Sequence, residues 1–168
     1  MCGTPQAFIT QLGRRKRWSD ALDLYAGMQN ARVQPDVVTY NALISACERS
    51  GQWERATAVF EEMKAARVQP DDYTFNALIS ACEKGAQWER ALAAFKEMKA
   101  ARVKPDVITY SALISACEKG AQWERAMAVF EEMKSAGEQP NVVTYSALIS
   151  ACAKRAQWKR ATAVSRPT

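Results

Sequence analysis

The feature that most constrains this chain is a repeat with a period of 35 residues. Tryptophan recurs at that spacing from Trp18 to Trp158, and residues 75–91 are copied at 110–126 with only the first two letters changed. The units span residues 2–36, 37–71, 72–106, 107–141 and, incompletely, 142–168. Such self-similarity predicts a solenoid, because one short unit cannot bury its apolar face without neighbours.

Each unit has the pattern of two helices. Tyr40, Leu43 and Cys47 fall on one face of a first helix, which Asp36 is placed to cap. After a turn, Trp53 opens a second amphipathic helix. The expected fold is an all-α, right-handed superhelical solenoid of helix-turn-helix repeats, with about four full repeats and a partial fifth, forming one domain over residues 1–168.

The composition argues against several classes of function. The chain has no histidine, no Cys-x2-Cys pair and no glycine-rich phosphate loop, so we expect no enzyme, metal, cofactor or small-molecule substrate. No apolar run is long enough to cross a membrane. The tryptophans and the four in-phase cysteines are expected in the core, the latter too far apart for disulfides: Cys47, Cys82, Cys117 and Cys152. The net charge of +5 permits a nucleic-acid partner without requiring one.

A stripe on each first helix avoids the apolar core face. In the second unit it contains Val38, Asn41, Ser45 and Arg49, spaced three or four residues apart. An aliphatic side chain can pack on a nucleobase, a short polar group can bond its edge, and a cation can contact phosphate. The alternative is an ordinary solvated helix face. The copied segment favours a functional stripe, because one of its two changes, Asn76 to Ser111, falls on it.

The unit that reads "VVTYNALISAC…SGQWERA…FEEMK…QPD" resembles the pentatricopeptide repeat family. The resemblance implies sequence-specific binding of single-stranded RNA, one base per repeat, in mitochondrial or plastid RNA processing, stability or translation. The alternative is a tetratricopeptide-like scaffold for protein–protein interaction. That repeat has a period of about 34 residues and its tryptophan opens the first helix, whereas here the tryptophan opens the second.

The resemblance also implies which residues choose the base: one polar residue of the first helix and the last residue of the same unit. The pairs are Asn41 with Asp71 and Asn76 with Asp106, both typical of uridine, and Ser111 with Asn141, typical of adenosine. With the chain's N-terminus at the RNA 5′ end, the core site is 5′-UUA-3′. The bases read by Gln6 with Asp36 and by Ser146 are not assigned.

The other stripe positions complete the expected RNA site. Side chains expected to sandwich the bases are Val38, Tyr73, Ile108 and Val143. Cations expected at the RNA backbone are Arg14, Arg49, Lys84, Lys119 and Lys154.

The fifth unit stops partway through its expected second helix and carries no polar cap. Solenoids need capping repeats, so we expect either a fragment of a longer RNA-binding array or an end that another subunit covers. Protein partners are therefore expected at the uncapped C-terminal end.

Overall fold

The computed structural model describes residue 11 and residues 18–164, with side chains as far as residue 154. From residue 18 onward the described chain forms helices without strands. They are α1 (Trp18–Asn30), α2 (Val37–Arg49), α3 (Trp53–Ala65), α4 (Asp72–Lys84), α5 (Trp88–Ala100), α6 (Val107–Lys119), α7 (Trp123–Ser135) and α8 (Val142–Val164). The predicted all-α solenoid of helical hairpins is confirmed.

Aspartate caps fix where three of the first helices begin. Asp36, Asp71 and Asp106 have extended backbones, and each accepts the backbone N–H of the threonine three residues later, at 2.8, 2.8 and 2.9 Å. A cap of this kind stabilises a helix by about 1 kcal/mol, because it satisfies a donor that the helix itself leaves unpaired. The cap predicted at Asp36 is therefore present and recurs in the next two units.

The helices form two layers. From α2 onward, each first helix packs on the first helix of the next unit, while the second helices α3, α5 and α7 each lie in the groove between two first helices. The second helices stand farther apart and are linked by side chains, through Lys64–Glu97 at 2.9 Å and Lys99–Glu132 at 2.8 Å. Since the first helices are closer together, the array curves towards them and they line its inner face.

Four tryptophans depart from the prediction, because they are half-buried rather than enclosed in the core: Trp18, Trp53, Trp88 and Trp123. Each stands at the start of a second helix, and the next unit covers Trp53 and Trp88. A Cβ added to Gly85 would come within 2.3 Å of the Trp53 ring, and the Arg90 guanidinium lies 4.9 Å from that ring's centre. The same contacts recur one unit later among Trp88, Gly120 and Arg125.

The fifth unit also differs from the expected hairpin, since α8 continues through the position of the turn. The earlier turns each contain a glycine, at Gly51, Gly85 or Gly120, whereas this unit has Arg155 and Ala156. A helix without a glycine near its C-cap lacks a strong signal to stop. The separate second helix predicted here is therefore absent from residues 142–164.

One face of α8 exposes residues whose counterparts in the other units lie in the core. Tyr145 and Ile149 are exposed, although their counterparts Tyr40 and Ile44 are buried. Cys152 is exposed too, contrary to the prediction that all four in-phase cysteines lie in the core. These residues differ from their counterparts because no separate second helix covers this face of α8 in the described chain, whereas one covers it in units two to four. The remaining three are buried, as predicted: Cys47, Cys82 and Cys117.

Candidate nucleic-acid interface

An exposed apolar side chain stands on the inner face of each of four successive units. Val38, Tyr73, Ile108 and Val143 are 51% to 58% exposed, although each is followed directly by a fully buried threonine. Apolar groups at one spacing on the inner layer form a row suited to planar ligands, because each would bury area against a base. The structure thus places the predicted sandwiching residues where a single strand could reach them.

The predicted base-choosing residues meet at the junctions between units. The first-helix members, which we call slot residues, are Asn41, Asn76 and Ser111; the unit-ending members, which we call cap residues, are Asp71, Asp106 and Asn141. The Asn41 amide donates to both oxygens of Asp71 at 3.0 and 3.1 Å. The Asn76 amide donates likewise to Asp106 at 3.3 and 3.4 Å.

The fourth unit has a different geometry at the same junction. The Ser111 hydroxyl lies 3.4 Å from Oδ1 of Asn141, and Ser111 is almost fully buried while Asn41 and Asn76 are half-buried. The slot residue of unit four therefore offers a short hydroxyl where units two and three offer an amide.

A buried threonine joins each pair and was missed by the sequence analysis. The Thr74 hydroxyl lies 2.5 Å from Oδ1 of Asn41 and 2.8 Å from Oδ1 of Asp71. Thr109 makes the same two contacts one unit later, at 2.6 and 3.0 Å. The signal was present as a threonine three residues after each cap residue, which is the spacing of a capping box.

Two effects act in opposite directions on the Asp71 carboxyl. Burial alone would raise its pKa, but hydrogen bonds from the Thr74 N–H, the Thr74 hydroxyl and the Asn41 amide outweigh burial and hold the pKa below its usual value. Asp71 is therefore ionised at neutral pH and can only accept hydrogen bonds. Its Oδ1 is occupied by Thr74, which leaves Oδ2, shared with Asn41, as the acceptor with remaining capacity.

Asn141 presents the opposite chemistry. Its Oδ1 accepts the Thr144 N–H at 3.0 Å, and a backbone N–H can only donate, so this contact fixes which end of the amide is oxygen. The Nδ2 group is then the free end of an exposed side chain. Units two and three thus present an acceptor at the cap residue, and unit four presents a donor.

The predicted backbone cations have partners within the protein. Lys84 forms an ion pair with Glu48, and Lys119 and Lys154 pair with glutamates of the preceding unit at 2.6 Å. The glutamates of these last two pairs are Glu83 and Glu118. The three lysines remain about two-fifths to half exposed, at 39% to 49% of their side chains. Each lysine therefore links two neighbouring units through its ion pair, while part of its side chain remains exposed to solvent. The sequence analysis did not predict this link between units.

The structure also describes three further predicted site residues. Arg49 and Ser146 are exposed, and Asp36 caps α2. Gln6 and Arg14 lie outside the described residues.

Neither a cluster of metal-ligating side chains nor a membrane-spanning helix occurs among the described residues. No group of metal-ligating side chains occurs among residues 18–154. Within the described helices, none is both long and apolar enough to span a bilayer.

Family models match most of the chain. The model described as "PPR repeat family" matches residues 6–48 and 35–84, and the one described as "Pentatricopeptide repeat domain" matches residues 93–155. A third, "PPR repeat", matches residues 73–103. A search of curated proteins finds no match.

Solved structures with similar folds include RNA complexes. The pentatricopeptide repeat protein PPR10, in complex with an 18-nt psaJ RNA element, is 33% identical over 98% of this chain and 24% of that chain, with a TM-score of 0.76. PPR10 from maize gives 31% identity over 95% of this chain and 23% of that chain, with a TM-score of 0.71. This chain therefore spans about a quarter of PPR10.

A more distant structure shares the fold. The PPR domain of Arabidopsis thaliana protein-only RNase P 1, in complex with tRNA, is 21% identical, with a TM-score of 0.79. The match covers 98% of this chain and 93% of that chain.

Proposed function

Because the chain belongs to the pentatricopeptide repeat family, we propose that it binds single-stranded RNA along its inner helix layer, one base per repeat. The observation that carries the proposal is the repeated junction, where a hydrogen-bonded slot and cap residue lie beside an exposed apolar side chain. The similarity to an RNA-bound repeat protein over nearly the whole chain supports the same conclusion.

The chemistry of the cap residues supports the core sequence 5′-UUA-3′. A uracil edge carries an N–H donor between two carbonyl acceptors, which suits the accepting carboxylates of Asp71 and Asp106. An adenine edge carries a ring-nitrogen acceptor beside an amine donor, which suits the amide donor of Asn141. The direction of the RNA, with its 5′ end at the chain's N-terminus, rests on the family resemblance.

Contacts to the RNA backbone are proposed at the exposed cations. Arg49, Lys84, Lys119 and Lys154 lie along the inner layer, one per unit. Three of them are already paired with glutamates, so a phosphate would share each lysine with its carboxylate. The electrostatic contribution to RNA affinity is then smaller than the contribution that five unpaired cations would provide.

The biological setting is proposed from the family alone. Action in mitochondrial or plastid RNA processing, stability or translation fits the resemblance.

Titration of labelled oligonucleotides tests the proposed function. Single-stranded RNA with a UUA core should bind at least about tenfold more tightly than the same RNA in a duplex, because a paired base cannot enter the sandwich or offer its edge. The control is a single strand of the same length and composition with the core reversed to AUU. Equal affinity for the strand and the duplex would contradict the proposal.

A further inference from the structure

A buried hydroxyl lies behind the base-choosing pair of unit four. Thr144 is fully buried, so it cannot touch RNA. Its Oγ1 lies 2.8 Å from the Ser111 hydroxyl and 3.0 Å from Oδ1 of Asn141, and it accepts the Asn141 N–H at 3.2 Å. Every polar side-chain group of the pair except the Asn141 amide nitrogen is therefore in contact with this threonine.

These contacts offer the Ser111 proton an acceptor inside the protein, whichever hydroxyl donates. If Thr144 donates to Oδ1 of Asn141, its oxygen is free to accept the Ser111 proton. If Thr144 instead donates to Ser111, the Ser111 proton has Oδ1 of Asn141 as its acceptor, at 3.4 Å. In both arrangements the proton is used inside the protein. Ser111 then faces the slot with lone pairs only.

We infer that Thr144 is a positioning residue for base choice, holding Ser111 as an acceptor beside the donor of Asn141, and so allowing unit four to distinguish adenine from guanine. This inference rests on the proposed function. With its amine at Ser111 and its ring nitrogen at the Asn141 amide, adenine satisfies both groups. Guanine in the same position places a carbonyl against the acceptor and an N–H against the donor.

Units two and three do not depend on their threonines in this way. Asp106 is a carboxylate that only accepts, so the Asn76 amide must turn its nitrogen towards it whether or not the Thr109 hydroxyl is present. Loss of that hydroxyl removes a cap contact but leaves the pattern of donors and acceptors unchanged. Thr109 is thus a matched control for Thr144, with the same burial and the same place in the helix.

The test compares Thr144→Val with Thr109→Val, using RNA whose core is UUA, UUG or UCA. Thr144→Val removes the partner of the Ser111 hydroxyl at 2.8 Å and leaves only Oδ1 of Asn141, at 3.4 Å, so the hydroxyl can turn to donate to the guanine carbonyl. The expected result is tighter binding of UUG with nearly unchanged binding of UUA, so that an adenine preference on the order of tenfold falls to about threefold. Part of the preference remains, because the Thr144 N–H still holds the Asn141 amide as a donor against the guanine N–H. Thr144→Ser, which keeps the hydroxyl, should retain the preference. Thr109→Val should keep the preference for UUA over UCA.

The outcomes separate the inference from the function on which it rests. A wild-type protein without preference for UUA over UUG would overturn the base assignment and the inference together. A wild-type preference that Thr144→Val leaves intact would overturn the inference alone. So would an equal loss of affinity for UUA and UUG in Thr144→Val, because this is the result of a purely structural role. Melting temperatures of the two valine variants should fall by similar amounts, since each loses one cap contact.

Discussion

Asp71 combines a role in folding with its proposed role in recognition. Its Oδ1 caps α4 through the Thr74 N–H, and its carboxylate also holds the Asn41 amide of the preceding first helix. The cap fixes the side chain before any ligand arrives, so binding RNA orders fewer groups than a free surface aspartate would require. The same residue therefore couples the start of one helix to the slot of the unit before it.

The sandwiching row can be tested with two adjacent valines. Val143 belongs to the row, whereas Val142 is at least as exposed but lies outside it. Val143→Ser should weaken RNA binding by about 1 kcal/mol, towards the lower end of what one base-stacking contact provides, and leave the melting temperature nearly unchanged. Val142→Ser is the control and should bind as the wild type does. Equal affinities for the two variants would remove Val143 from the interface.

Sequence reasoning reached the repeat and the helical hairpins, because each follows from a period or from local capping rules, whereas the pairing of slot and cap residues came from the family resemblance. It missed Thr144 and Glu118, whose roles depend on partners in a neighbouring unit at close range. It also placed Trp53 in the core, since an aromatic at a helix start does not reveal that a glycine turn will cover it. Contacts between units determine these details, whereas the repeat period gives only the spacing of the residues along the chain.

At the scale of elements, the tight turns set how closely successive units stack. The C-cap glycines Gly85 and Gly120 each lie against the tryptophan of the previous unit, and a Cβ on Gly120 would come within 2.2 Å of the Trp88 ring. The near atoms belong to the root of a rigid indole ring, which the Arg125 guanidinium also contacts. The stacking distance between units therefore depends on the absence of a side chain at this position.

Two alanine substitutions separate this effect from helix propensity. Gly120→Ala should destabilise the protein by about 1–3 kcal/mol, because the added methyl group overpacks the contact with Trp88. Gly27→Ala, within α1, meets nothing within 4 Å and should stabilise the protein by about 0.5–1 kcal/mol. Chemical denaturation measures both. A neutral Gly120→Ala would show that the turn moves away from the tryptophan without cost.

At the scale of the whole molecule, ion pairs between units balance much of the basic charge. The net charge is +5, yet the lysines of the inner layer pair with glutamates from the unit before. One of these glutamates, Glu118, would have a raised pKa from burial alone, but Lys154 and Ser150 lower it below the usual value. Under the proposed function, recognition therefore rests more on base edges and the apolar row than on bulk charge.

The open face of α8 contrasts with this closed stacking. Tyr145 and Ile149 are exposed because no second helix covers them in the described chain, although a T-shaped contact still joins Tyr145 to Phe130 at 5.9 Å between ring centres. Both members of the slot and cap pair are present in units two, three and four.

Exchanging the pair of unit four for that of unit three tests the central claim most directly. The double variant Ser111→Asn with Asn141→Asp should change the best core from UUA to UUU, because an accepting carboxylate replaces a donating amide beside a longer slot residue. The expected change in preference is on the order of 1–3 kcal/mol. Asn76 occupies the equivalent slot without disturbing its helix, so we expect the fold to accept the longer side chain.

The control is Ser115→Asn, which makes the same substitution one turn farther along α6 and should leave the preference for UUA in place. Binding of each protein to the two RNAs is measured by titration under identical salt. The account predicts that only the double variant prefers UUU, while each single variant loses affinity without a clean switch. A double variant that still prefers UUA would contradict the assignment of the slot and cap residues as the readers of the base.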